Sequence, residues 1–198
     1  TGAYAVMYGS ALDGLTYIEG LDLDHAEQVL RSALQVSRRN GAGGSQAYRL
    51  AAGVLAQLLY QRGGSDEASR LLEDSLTLGP DEGITDMIRA RYITAARLAV
   101  QRGDPVEAAR LLDEAADAAD QIDAPRLRAY VENEIIALEV PTRRQLRPRV
   151  AFENRRPPGG GWAEIVAQAE EEAAIRLLLK ETDEVDVACR WAGEWVMR

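Results

Sequence analysis

The sequence predicts an all-α fold, a helical-repeat stack of about nine antiparallel helices, and two observations carry that expectation. The first is a recurring phrase: LDLDHAEQVLRSAL at 21–34, GSDEASRLLEDSL at 64–76 and GDPVEAARLLDEAA at 103–116, with a looser copy, TDEVDVACRWAGEW, at 182–195. Each copy is a polar turn, an acid-rich helix start, an alanine and then large apolar residues. The anchoring alanines are Ala26, Ala68, Ala108 and Ala188, so the spacings are 42, 40 and 80 residues. The second is the apolar pattern, which recurs at helical spacing with almost no β-branched alternation.

Taken in order, the first helix is predicted from about Ala5 to Ile18, with Tyr8, Leu12 and Leu15 on one face and Gly20 as its breaker. The second starts near Asp24 and stops before Asn40-Gly41, where glycine supplies a left-handed end. GAGGS at 41–45 reads as a flexible joint. Helix three covers Ala47 to Gln61, Gly63-Gly64 turns the chain, and helix four covers Asp66 to Thr77 before Pro80. Helices five (about Ile84 to Gln101) and six (Pro105 to Ala119) repeat the pattern around Gly103, with Pro105 suited to a first helical turn. Helix seven covers about Pro125 to Leu138. Helical order resumes over Trp162 to Lys180 and again from about Val185 to Met197.

Between these, the repeat fails. Residues 141–160, PTRRQLRPRVAFENRRPPGG, hold arginines 143, 144, 147, 149, 155 and 156 against the single acid Glu153. The expected organisation is therefore repeats over 1–140, an inserted Arg/Pro/Gly-rich loop over 141–160, and a further helical pair over 161–198.

Composition narrows the function classes. Apolar residues make up 46% of the 198 and aromatics only 6%, so Leu, Ala, Val and Ile must fill the core. A formal charge of −9 argues against nucleic-acid or anionic-membrane binding by the body of the chain. Cys189 is the only cysteine, which excludes an intrachain disulfide and favours a cytoplasmic setting. No apolar run approaches the ~20 residues of a membrane span. Lys180 is the only lysine among 23 basic residues, a bias that fits a high-GC, actinobacterial genome. The chain starts at Thr1 without an initiator Met and neither end carries a polar capping repeat, so a segment of a longer protein is expected.

Small residues recur where paired helices must cross: Ala56 and Ala96 in first helices, and Ala26, Ala68, Ala108 and Ala188 in second helices. Bulky Leu30, Leu72 and Leu112 follow four residues later, and Pro80 closes one unit. Close approach of two helices needs small side chains at the crossing. In these features the chain resembles the tetratricopeptide (TPR) family, with a period nearer 40 than 34. The wording YRLAAGVLAQLLYQRGGSDEASRLLEDSL, followed by IRARYITAARLAVQRGDPVEAARLLDEAADAA, resembles the MalT-type repeat region of LuxR-family bacterial regulators and of PknK-type mycobacterial serine/threonine kinases.

That resemblance implies a right-handed superhelix and a non-catalytic sensing and protein-interaction arm of a regulator, with a protein partner or a small inducer on the concave face. A free-standing adaptor that scaffolds protein complexes is the alternative, and self-association through the first and last helices fits either. Carried onto this sequence, the concave positions are Tyr17, then Tyr60 and Gln61, then Arg97 and Gln101, then Tyr130 and Asn133. Arg143, Arg144, Arg155 and Arg156 form a candidate anion or partner patch, with a loop that answers the acidic body as the blander reading.

No catalytic constellation is visible. His25 lies alone among acids at a helix start, a capping position, with no Cys or second His to share a metal. Cys189 beside Trp191 reads as a small buried hydrophobe, and Glu170, Glu171 and Glu172 as a solvated face. GAGGS lacks the GxxxxGK[ST] pattern of a phosphate loop. No cofactor is expected.

Overall fold

The computed structural model describes residues 2–144, 161–180 and 184–196. Among these the chain is all-helical, with no strand. The helices are α1 (Gly2–Glu19), α2 (Leu23–Arg39), α3 (Gln46–Gln61), α4 (Ser65–Ser75), α5 (Thr85–Gln101), α6 (Pro105–Gln121), α7 (Pro125–Leu138), α8 (Gly161–Leu178) and α9 (Val185–Val196). Each agrees with its predicted span within a few residues.

The helices start where local chemistry lets them. Asp22 caps α2 by accepting from the His25 amide, Ser45 caps α3 through the Tyr48 amide, and Asp104 caps α6 through the Glu107 amide with Pro105 in the first turn. They end in a shared turn. After α3, Gly63 takes φ +83° and the Gly64 amide bonds back to the Leu59 carbonyl. After α5, Gly103 takes φ +78° and the Asp104 amide bonds back to Ala99. After α1 the same left-handed position falls on Leu21, at φ 61°, and the Asp22 amide bonds to Tyr17. The α1 turn thus places a Leu where later repeats place a Gly, and Gly20 is only its neighbour. GAGGS is likewise a bonded turn, with the Ala42 amide on the Ser37 carbonyl and Gly41 at φ +70°.

Successive helices pack in antiparallel pairs, α1 on α2, α3 on α4 and α5 on α6. The first helices α1, α3, α5 and α7 also pack on one another in chain order. Further along the chain α7 packs on α8, which in turn meets α9. Ala26, Ala56, Ala68, Ala96, Ala108 and Ala188 are all fully buried, as are Leu30 and Leu112, so the crossing positions are those the spacing predicts. In the first unit Gly14 joins them: a Cβ there would stand 2.7 Å from Leu30.

Hydrogen bonds between repeats keep the same register. Tyr4 bonds Gln46 and Arg126 pairs with Asp86, positions about one repeat apart. Arg62, at the end of α3, reaches Asp24 and Glu27 on α2, and Arg102, one repeat on, reaches Ser69 on α4.

Several expectations are corrected. On α1 the buried stripe is Met7, Ala11, Leu15 and Ile18, while Leu12 is exposed, because the helix turns about 100° per residue and that stripe alone faces its neighbours. Cys189 is exposed. Ala188 and Trp191, three residues apart, hold the buried face of α9, and Cys189 lies off it. Glu171 is 2% exposed, so the three consecutive glutamates do not form one solvated face. No described helix is long and apolar enough to cross a membrane.

Candidate functional site

The first helices carry polar residues into the interior, and their bonds decide which of them are available. Arg91 on α5 is fully buried. Its guanidinium donates to the carbonyls of Ser75, Gly79 and Glu82, which closes the end of α4 and fixes the loop to α5. Burial pushes its pKa below the ordinary arginine value, yet it stays charged. A Cβ on Gly53 of α3 would run into the Arg91 stem and approach Ser75 Oγ to 2.7 Å, so the glycine makes room for this arginine. Arg91 is a structural clamp.

One turn further along, α3, α5, α7 and α8 enclose a polar cavity of about 350 Å3. Gln57, Gln61, Arg97, Tyr130, Asn133 and Glu134 line it, with Arg89, Thr94, Glu172 and Arg176 completing the wall. The volume lies at the lower end of the range of about 300–1,000 Å3 that small-molecule sites span. Arg97 holds Glu134 in a two-pronged pair, Nε and Nη2 each 2.7 Å from a carboxylate oxygen. The Glu134 bond lifts the Arg97 pKa further above its ordinary value. Arg176 pairs with Glu172 at 2.7 Å. Arg89 lies 4.6 Å over the Tyr130 ring, and no carboxylate among the described residues pairs with it. The amide oxygens of Gln57, 8% exposed, and of Asn133 are buried without a hydrogen-bond donor among the described residues.

Four sequence-predicted positions, Gln61, Arg97, Tyr130 and Asn133, therefore meet in one cavity. Tyr60 and Gln101 bond each other at 3.3 Å outside its lining. Tyr17 stands apart, stacked on His25 at 5.7 Å, while His25 Nδ1 bonds Asp22 at 2.6 Å. Sequence reasoning missed Gln57, Arg89 and Thr94. Gln57 had a signal, since it lies one 40-residue repeat before Arg97.

Of the candidate patch, Arg143 and Arg144 lie against the acidic face of α6. Arg143 pairs with Asp117, and Arg144 reaches Asp117 at 2.7 Å and Asp120 at 3.0 Å. Arg155 and Arg156 lie outside the described residues. No group of three or more metal-ligating side chains occurs among the described residues.

A second recess of about 590 Å3, between α1 and α2, is chiefly apolar, with Val6, Met7, Val29, Ala33 and Val36 in its wall. It includes none of the sequence-predicted positions.

No known protein-family profile matches the chain, and no solved structure matches it. The serine/threonine-protein kinase PknK of Mycobacterium tuberculosis is 35% identical over 193 residues, as is that of Mycobacterium bovis. The match takes in 97% of this chain and 17% of each of these relatives, so what is similar is one segment of a much longer signalling protein.

Proposed function

We propose that the chain is a non-catalytic, MalT-type TPR-like arm of a multidomain bacterial signalling or transcriptional regulator. It receives an inducer or a regulatory protein on the concave face of its repeat stack. The observation that carries the reading is the convergence of Gln61, Arg97, Tyr130 and Asn133 on one polar cavity walled by first helices. The similarity to a segment of a kinase supports a signalling setting. Binding would act by favouring one curvature of the stack, because a ligand shifts an equilibrium only by its differential affinity for two states.

Two measurements test this. The mass and peptide map of the native protein should show kinase, nucleotide-binding or helix-turn-helix peptides on the same chain. A native mass near 21.6 kDa would instead make it a free-standing adaptor. The binding face is tested with a small-molecule extract of actinobacterial cells. It should raise the melting temperature of the native chain but not of a Gln61→Ala, Tyr130→Ala variant of equal helicity, and equal shifts would sink the assignment.

A further inference from the structure

We infer that the cavity between α3, α5, α7 and α8 takes a compact polyhydroxylated anion, a carboxylate or phosphate on a hydroxyl-bearing frame. The inference rests on the binding-face reading above and specifies its ligand. Three features of the wall point to this chemistry.

The first is charge. Arg89, Arg97 and Arg176 face Glu134 and Glu172, so the lining carries one net positive charge in a chain whose formal charge is −9. Arg97 and Arg176 are matched by the two glutamates, and among the described residues Arg89 has only the face of Tyr130. A guanidinium held over a ring is restrained in position for two-pronged bonding to a carboxylate or phosphate.

The second is the pair of amide oxygens. Gln57 and Asn133 line the cavity, and their buried amide oxygens lack a donor among the described residues. A buried acceptor without a partner is destabilising, and a ligand donor placed there would offset that cost. The wall therefore asks for an anion that also brings two hydrogen-bond donors.

The third decides the kind of donor. Ammonium groups would meet a lining that is already net positive, whereas hydroxyls donate without adding charge. The cavity volume of about 350 Å3 favours a molecule of roughly sugar-acid or sugar-phosphate size.

Isothermal calorimetry on the whole chain tests this with four probes. Gluconate and glucose 6-phosphate carry both features and distinguish a carboxylate source from a phosphate source. Glucose supplies donors without charge, and inorganic phosphate supplies charge with few donors. At least one of the first two should bind, tenfold or more tighter than either control. In Arg89→Gln that anion should bind no better than glucose, and Arg89→Lys should restore part of the preference, both variants melting as the native chain does. Equal binding of gluconate, glucose 6-phosphate and glucose, or an unchanged anion preference in Arg89→Gln, would overturn the inference.

If none of the four probes binds, the ligand class is wrong. The actinobacterial extract then separates the two levels. Stabilisation of the native chain but not of the Gln61→Ala, Tyr130→Ala variant overturns only the anion class. An extract that fails to distinguish the two proteins removes the binding face as well.

Discussion

The first helices and the second helices of these repeats have comparable lengths but opposite environments. Twelve of the sixteen residues of α3 are buried, against five of the seventeen in α2. The second helices α2, α4 and α6 show a buried stripe and a solvated face, as an outer layer should. The central first helices α3 and α5 are packed by their own partner and by the first helix on either side, so nearly their whole circumference is covered, whereas the terminal α1 buries a single stripe. A polar side chain on an outer helix finds water. On an inner helix it must find a partner within the protein, as Arg91, Arg97 and Glu134 do.

The largest break in that comparison should come from Arg91→Ala. It strips the carbonyls of Ser75, Gly79 and Glu82 of their donor and empties a buried volume, at a cost of about 4 kcal/mol in urea denaturation. Next comes Gly53→Ala, which overpacks the same spot against Arg91 and should cost about 2–3 kcal/mol. A neutral outcome would mean that α3 and α5 separate more easily than their burial implies.

The turn that joins an inner helix to an outer one offers the reverse experiment. Leu21 sits at φ 61°, is 82% exposed, and takes the place of Gly63 and Gly103. Leu21→Gly should raise stability by about 1 kcal/mol, read as a higher melting temperature. A loss would show that the leucine is held by contacts of its own.

The smallest effects belong to the outer ridge. Arg31 on α2 bonds Glu67 on α4 at 2.6 and 2.8 Å, and this bond holds the Glu67 carboxyl below its ordinary value of 4.5. The stability contributed is present above pH 4.5 and is lost as pH falls through the lower folded value. Because the pair is solvent-exposed, Glu67→Gln should cost less than about 1 kcal/mol at pH 7, and less again in high salt. The gap between the variant and the native chain should close only as pH falls through that lowered value. Denaturation curves from pH 3 to 7 check the sign.

Much of the fold was legible because its signals are local. The caps Asp22 and Asp104, the turn glycines Gly63 and Gly103 and the alanines at crossings act within a few residues, so periodicity finds them. The cavity was legible only in part. Gln61, Arg97, Tyr130 and Asn133 come from the resemblance to TPR repeats, and Gln57 was one subtraction of forty away. Arg89 was not readable, because its value as a cation depends on which carboxylates fold next to it. Cys189 and Glu171 were misread for a related reason: the pattern of α8 and α9 does not say which neighbour covers which side.

The sequence by itself determined an all-helical repeat, its 40-residue period and its crossing residues. These are properties of spacing and propensity along one chain. Only the tertiary structure decided which buried polar groups satisfy one another and which do not. It gave Glu134 to Arg97, Glu172 to Arg176 and three carbonyls to Arg91, and among the described residues left Arg89, Gln57 and Asn133 without such partners around one cavity. That division depends on packing between helices about forty residues apart, where hydrogen bonds a few ångströms long are set by geometry that no spacing rule contains.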